Sequence, residues 1–434
     1  MLLKTNTQST EDMNFLHIEI GSAKDNQKSP VHNWYKFTAG FSYKFVEEII
    51  LLEKLSQKPN SQIFDPFAGC GTTLVSSQKE GVKAVGNEGQ AFMLDVIKAK
   101  LNWKISKRSF DKYLLLIKDS LLKKSKKLDL NQYAHPLLLT LYKDEILKDL
   151  YIVKNTVNSI KAEKYRLFFK LALSQTLHKV SIHPIAVPYI SRNKILSNDK
   201  SVWEVFSHIS EIMFKDIKEL KEKESTSKIY LHDSRKPNRY IKNKQCDICI
   251  TSPPYLNNLD YGEVSKVHTH FFDITNSWND ITNRVRKKLV TGATTHYIES
   301  DFIMADFLKS DFALKNKNLI PELVKTADTI KAFAKEKSGK KSFHLLTLLY
   351  FKDMYDVLVE IKRVLKRNGT AYLILGDSAP YGVFIPTTEI LGRIAKNIGF
   401  DSYEIHKIRD RGTKWKSLRF RHSLALTENV LVLK

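Results

Sequence analysis

Cys246-Asp247-Ile248-Cys249-Ile250-Thr251-Ser252-Pro253-Pro254-Tyr255 is the stretch on which the rest of the chain turns. Its mostly apolar opening runs into a double proline, the pattern of a buried parallel strand that stops at the carboxyl edge of a sheet. Neither proline can donate a backbone hydrogen bond, and each ring fixes φ at about −65°. The turn is therefore rigid. Its carbonyls and the Ser252 hydroxyl are left to accept from a ligand, and Tyr255 sets an aromatic face beside them. Such a pocket suits a planar base that carries an exocyclic amine. Taken alone, the stretch also reads as a strand that simply ends in a Pro-Pro turn.

The stretch has a companion upstream. Gln62-Ile63-Phe64 reads as a second buried strand, leading into Asp65-Pro66-Phe67-Ala68-Gly69-Cys70-Gly71-Thr72-Thr73 and a helix that continues to Glu80-Gly81. Val82 to Gly86 follows as a strand and closes on Asn87-Glu88. Strand, Gly-rich loop, helix, strand and acid form the opening of a doubly wound nucleotide-binding sheet. A lone Gly-x-Gly is a weak signal, and Asp65 sharpens it. Phosphate loops offer bare N–H groups to an anion, and a carboxylate at the mouth would repel one. The ligand should carry a positive end. Glu88 is placed to accept both ribose hydroxyls. An adenosine with a cationic amino-acid arm meets both demands, and S-adenosyl-L-methionine is such a molecule. Asp233, just after the strand Ile229 to Leu231, is placed for the adenine amine, with a solvated turn as its alternative.

Around these motifs the chain divides as follows. Residues 1–30 read as a loosely held polar arm, and 31–102 as the cofactor-binding half of a catalytic domain, opening on the aromatic run Trp34, Tyr35, Phe37, Phe41, Tyr43 and Phe45. Residues 103–225 form a helical insertion that begins Lys-rich and is strongly apolar from Tyr165 to Val180. Residues 226–264 carry the Ser-Pro-Pro-Tyr stretch, 265–340 a second, polar insertion, and 341–434 complete the catalytic domain. In that last part, helices from His344 to Lys366 and Thr387 to Ile398 bracket the strand Thr370 to Leu375. Two β runs, Ser402 to Ile408 and Glu428 to Leu433, close the chain.

The net charge of +23, from 70 Lys and Arg against 47 Asp and Glu, favours a polyanionic partner such as nucleic acid. A basic surface without a partner is the plainer alternative. Three cysteines in 434 residues do not make a disulfide framework. No apolar run approaches the roughly 18 residues that span a bilayer. The expectation is a soluble, cytoplasmic, nucleoid-associated protein without a metal site.

The Asp65-Pro66-Phe67-x-Gly69-x-Gly71-Thr72 loop together with Thr251-Ser252-Pro253-Pro254-Tyr255 resembles the amino-group DNA methyltransferases of bacterial restriction-modification systems, which act on cytosine N4 or adenine N6. Tyr255-Leu256-Asn257-Asn258-Leu259-Asp260-Tyr261 is similar to the continuation in one branch of that family. The segment Trp34-Tyr35-Lys36-Phe37 is similar to its motif beside the methionine end of the cofactor, and Glu428 to Leu433 to its terminal hairpin.

The resemblance covers somewhat over half of the chain and implies an α/β, doubly wound, mostly parallel sheet with a terminal antiparallel hairpin, the class I S-adenosylmethionine-dependent fold. It implies cofactor contacts at Phe37, Asp65, Pro66, Phe67, Gly69, Gly71, Thr72, Glu88 and Asp233, and catalytic roles for Ser252, Pro253, Pro254 and Tyr255. In that family a Ser-Pro-Pro-Tyr tetrad usually accompanies cytosine-N4 methylation, and Asp- or Asn-Pro-Pro-Tyr adenine-N6. Double-stranded DNA is the implied substrate and a cognate restriction endonuclease a possible partner.

An exocyclic amine is a poor nucleophile because its lone pair is delocalised into the ring. Acceptors at the Ser252 hydroxyl and the Pro253 carbonyl would hold its hydrogens and turn that lone pair toward the methyl group. Tyr255 would stack on the base once it is flipped out of the duplex. Carbon-5 methylation would need a cysteine nucleophile. Cys70 sits in the cofactor loop, and Cys246 and Cys249 lie on the strand before Thr251, where burial is expected.

Target recognition is expected from 103–225, with 265–340 as the other candidate. The basic cluster Lys407, Arg409, Arg411, Lys414, Trp415, Lys416, Arg419 and Arg421 reads as a phosphate-gripping loop between the last two strands. Adenine-N6 methylation, methylation of an RNA base and an inactive DNA-binding subunit stay open as alternatives.

Overall fold

The computed structural model describes residues 21–37, 40–123, 129–185, 190, 193–196, 200–220, 227–257, 259–336, 341–411 and 424–434. Its centre is a seven-stranded sheet in the order β3-β2-β1-β4-β5-β7-β6. The strands are β1 (Gln62–Asp65), β2 (Lys83–Glu88), β3 (Lys228–Leu231), β4 (Cys246–Thr251), β5 (Leu365–Gly376), β6 (Tyr403–Arg411) and β7 (Leu426–Leu433). The first five pair in parallel, and β7 runs antiparallel to both β5 and β6. The expected terminal hairpin is present, inserted with β7 inside β6.

Alternation along the strands sends side chains to two separate cores. Ile63, Ala84, Ile248, Ile250, Tyr372, Ile374, Val430 and Val432 face one side, where they pack with α1 (Tyr43–Leu52) and the helix after the Gly-rich loop, α2 (Thr72–Lys79). Phe64, Val85, Cys249, Ala371, Leu373, Leu375, Leu431 and Leu433 face the other. There they meet the helix Ile320–Glu336, at the end of the second insertion, the long helix Phe343–Val364 and the helix Thr387–Ile398.

The remaining long helices are α3 (Ala91–Leu101), α4 (Lys107–Leu122), α5 (Asp144–Ser159), α6 (Glu163–Val180), α7 (Val202–Glu219), α8 (Ile320–Glu336), α9 (Phe343–Val364) and α10 (Thr387–Ile398). α3 is shared between cores. Its Ile97 faces the sheet, while Phe92, Met93, Val96 and Ala99 pack outward on the helices of the first insertion. Those helices, α4 to α7, thus build a third core against the sheet's helical cover rather than against the sheet.

Several boundaries differ from the sequence reading. β2 extends through Glu88, so the acid is the last residue of the strand. α9 stops at Val364, and β5 already begins at Leu365, before Asn368-Gly369. β6 continues past Ile408 to Arg411, because Arg409, Asp410 and Arg411 pair with Glu428, Thr427 and Leu426 of β7. Lys407, Arg409 and Arg411 therefore lie on a strand and not in a loop. Lys414, Trp415, Lys416, Arg419 and Arg421 lie outside the described residues, as do 1–20 of the arm. Residues 21–30 pack on the core: Asn26 is buried, donates to the Phe41 carbonyl (2.8 Å) and accepts from Tyr43 N (2.8 Å).

Candidate active site

The carboxyl ends of β1, β2, β3 and β4 open on one cavity of about 760 Å³. Its lining includes Phe37, Pro66, Phe67, Gly69, Thr72, Glu88, Asp233, Ser252 and Pro254. These are nine of the expected cofactor and target residues, drawn from segments far apart in the chain; Asp65, Gly71, Pro253 and Tyr255 stand behind the lining rather than in it. Ligands of open α/β sheets bind in this position.

The Gly-rich loop gets its shape from its glycines. Gly71 sits at φ 86°, a left-handed conformation, immediately before α2. A Cβ there would meet Ile97 at 3.3 Å. Glycine at this point therefore lets the loop turn and α2 pack against α3 at once. Gly69 N donates to Glu88 Oε2 (2.9 Å), and Gln90 N donates to Oε1 (2.8 Å). Each carboxylate oxygen keeps a further lone pair for a ligand. Burial pushes the Glu88 carboxyl up to about 7, against the pull of those two N–H groups.

Asp65 is fully buried and is absent from the cavity lining. Its Oδ1 accepts from Thr251 Oγ1 (2.6 Å) and Phe67 N (3.0 Å). Its Oδ2 has no hydrogen-bond partner among the described residues, and burial raises the carboxyl to about 6. A buried acid with one unsatisfied oxygen, two residues from the loop amides, is the feature that best fits a cationic ligand group. Asp233 faces the cavity, but both of its oxygens are held by Arg235, at 2.9 Å from Nε to Oδ1 and 2.8 Å from Nη2 to Oδ2. Arg235 in turn reaches Asp353 (3.0 Å).

On the opposite wall, Ser252 Oγ donates to the Ile374 carbonyl of β5 (3.3 Å). That bond engages the hydroxyl proton and leaves the oxygen's lone pairs to accept. The Pro254 carbonyl accepts from Tyr350 OH (3.0 Å), which anchors the turn on α9. No described residue donates to the Pro253 carbonyl. Tyr255 OH donates to Glu428 Oε1 of β7 (2.9 Å), while Arg409 Nε donates to Glu428 Oε2 (2.5 Å). The Arg411 guanidinium lies over the Tyr255 ring, 4.8 Å from its centroid. Gly376, at the end of β5, makes that stack possible: a Cβ there would strike the Arg411 guanidinium and come within 2.9 Å of Tyr255 Cδ2. Lys407 pairs with Asp410 at 2.8 Å on the exposed side.

Phe37 was expected in the lining and Tyr261 lay in the quoted continuation of the tetrad, whereas the lining residues of the second insertion were missed. Phe37 stacks on Tyr261 (6.4 Å, 27° between planes), closing one end of the cavity. Lys288, Leu289 and Val290 of the second insertion line it as well. Nothing periodic in the sequence marks these three, whereas Tyr261 stood within the quoted continuation of the tetrad. All three cysteines are buried and free. Burial lifts the Cys246 and Cys249 thiols far above the ordinary range, which leaves neither poised as a nucleophile.

Comparisons with known proteins agree with this geometry. Residues 4–99 match a family model described as DNA methylase. The chain is 22% identical over 418 residues to the type II methyltransferase M.AvaI of Nostoc sp., covering 89% of this chain and 82% of that protein. It is 20% identical over 456 residues to the type II methyltransferase M.MvaI of Kocuria varians, with 95% and 93% covered. M.BsoBI of Geobacillus stearothermophilus, also a type II methyltransferase, is 21% identical over 447 residues, with 92% and 84% covered. The resemblance to the amino-group DNA methyltransferases of restriction-modification systems thus holds along most of the chain, and the sheet has the class I methyltransferase order.

Proposed function

We propose that this chain, similar along most of its length to type II methyltransferases, transfers a methyl group from S-adenosyl-L-methionine to the exocyclic N4 of cytosine in duplex DNA. The observation that carries the reading is the Ser252 hydroxyl. Ser252 lines the cavity and its proton is engaged by the Ile374 carbonyl, which leaves its oxygen to accept, with Pro254 beside it in the lining and Pro253 and Tyr255 next in the chain. When bound, the cofactor supplies an electrophilic methyl group on a sulfonium. Glu88 and the Gly69 loop would hold its ribose and amino-acid end, and Asp65 would supply negative charge from behind the loop.

For the target, Ser252 and Pro253 accept the two amine hydrogens, and this turns the nitrogen lone pair out of the ring plane toward the methyl. Tyr255 supports the flipped base from below. No strong base is required before transfer, because the amine becomes acidic only after methylation, and positioning supplies much of the rate. The site would act in the cytoplasm on nucleoid DNA, as the protective partner of a restriction endonuclease with the same site. No helix among the described residues is long and apolar enough to cross a membrane.

The test is transfer of a labelled methyl group from the cofactor to duplex DNA, single-stranded DNA and RNA of mixed sequence. Label on duplex DNA, lost in Ser252→Ala, supports the reading. Label on RNA alone, or cofactor binding without any transfer, contradicts it.

A further inference from the structure

A base-flipping enzyme needs a surface that touches the duplex on the rim of its cavity, and the two insertions differ in whether they reach that rim. Every lining residue comes from 37–93, 232–261 or 288–290. None comes from 103–225, whose helices are spent on their own core with α3. The second insertion does reach that rim, through Lys288, Leu289 and Val290, and the helical stretch Trp278–Lys288 leads directly into that contact.

This segment is a continuous helical stretch, a short α-turn (Trp278–Asp280), a π-helical turn (Ile281–Val285) and a 3-10 turn (Arg286–Lys288). Widened turns of this kind are frequent at functional sites. Its inner side is tightly packed: Ile281, Val285 and Arg286 are buried. Its outer side presents Trp278, Asn279, Asn283, Arg284, Lys287 and Lys288, all exposed. Amides that can bond base edges, cations for phosphates and a broad aromatic ring form a set suited to duplex DNA. Arg284 pairs with Asp280 (3.7 Å) and donates to the Ile274 carbonyl (3.0 Å), and a surface ion pair of this kind is weak enough to exchange for a phosphate.

The stretch is also fixed to the catalytic loop. Arg286, 1% exposed, lies under the Trp278 ring at 4.2 Å and donates to Asp260 Oδ2 through Nε (2.9 Å) and Nη2 (2.5 Å). Asp260 Oδ1 accepts from Gly262 N (3.0 Å) and Glu263 N (3.2 Å), capping the turn that carries Tyr261 into the cavity. Burial alone would raise the Asp260 carboxyl, but His296 beside it (3.5 Å) and the bonds from Arg286 and Thr295 hold it below the usual range. A charged pair so enclosed works as a rigid link: 278–288 is fastened to the turn that carries Tyr261, a residue of the cavity lining.

We propose that Trp278–Lys288 is the surface that reads duplex DNA beside the flipped base, with Asn279 and Asn283 directed at base edges and Arg284 and Lys287 at phosphates. This rests on the DNA methyltransferase reading above.

The experiment compares two double variants of the full chain. Asn283→Ala with Arg284→Ala alters the rim, and Lys112→Ala with Lys118→Ala alters the exposed face of α4. Affinity for sheared genomic duplex DNA is measured over a range of salt with S-adenosylhomocysteine present, and affinity for S-adenosylhomocysteine separately. The rim variant should bind DNA about tenfold more weakly or worse, with a salt slope reduced by about one. Its affinity for S-adenosylhomocysteine should match wild type, and the sequence contexts methylated in genomic DNA should broaden. The α4 variant should stay within about twofold of wild type, as solvated charges do. The reverse order, or unchanged DNA affinity in the rim variant, overturns the proposal. Wild type that binds duplex DNA without methylating it would fail the enzymatic reading alone. Wild type that binds no duplex DNA fails both.

Discussion

The two walls of the cavity are built in different ways. The cofactor wall is local: Asp65, Phe67, Gly69, Glu88 and Gln90 lie within one strand-loop-helix-strand unit, and backbone N–H groups make most of its bonds. The target wall is assembled from a distance. Ser252 leans on Ile374 of β5, Pro254 on Tyr350 of α9 and Tyr255 on Glu428 of β7, and Arg411 of β6 covers the Tyr255 ring. Asp65 and Thr251 join the two walls by a buried bond of 2.6 Å. A local wall can be read from a motif. A wall assembled by the closing hairpin depends on register, and only its Ser-Pro-Pro-Tyr end is visible in the sequence.

If the walls are separable, substitutions should sort by the function they damage. Tyr255→Ala should have the largest effect, about a 100-fold loss of methyl transfer from lost stacking and position. Cofactor affinity in that variant, measured by calorimetry, should stay within about twofold of wild type. Normal turnover in Tyr255→Ala would remove the stacking role.

Gly376→Ala probes the same wall from β5. Its added methyl has no room beside Arg411 and the Tyr255 ring. Methyl transfer should fall about tenfold, with little change in cofactor affinity. Should that variant instead lose cofactor affinity and keep its turnover, the division between the walls fails.

On the cofactor wall, Glu88→Gln leaves an amide with a single acceptor facing two N–H donors. Cofactor binding should weaken about tenfold while turnover at saturating cofactor changes little. The pH dependence sharpens this. Burial raises both Glu88, to about 7, and Asp65, to about 6. Between about pH 4 and pH 7 the folded chain therefore holds more protons at these acids than the unfolded chain, so their contribution to the stability of the ligand-free protein falls as pH rises. A cationic ligand favours their charged forms, so its affinity should climb between about pH 6 and pH 8. In Glu88→Gln that climb should flatten, which titration calorimetry at several pH values would register.

Thr251→Val tests the link between the walls and should show the smallest effect on each. It removes one donor from a buried carboxylate and should cost about 1–3 kcal/mol of stability, measured by denaturant unfolding. Cofactor affinity and turnover should decline together, unlike in the three variants above.

The sheet was legible because its strands are short apolar runs ended by Asp65, Glu88 and the double proline, and each such end marks the carboxyl edge. The cavity residues of the loops followed from the same signals. What escaped were partners fixed by packing across the chain. Arg411 was marked by its charge and so read as a phosphate contact, but pairing of β6 with β7 carries it onto Tyr255. Asp233 was marked by its position after β3, and its commitment to Arg235 depends on a side chain two residues on. Lys288 to Val290 carry no periodic signature, and the buried Arg286–Asp260 pair that sets their path has no trace in local sequence.

The most direct measurement of the central claim is mass spectrometry of nucleosides released from duplex DNA after incubation with the protein and S-adenosyl-L-methionine carrying an isotopically labelled methyl group. The account expects labelled N4-methylcytosine. Labelled N6-methyladenine would contradict the reading of Ser252, and DNA without any labelled base would contradict the assignment of the cavity to methyl transfer on DNA.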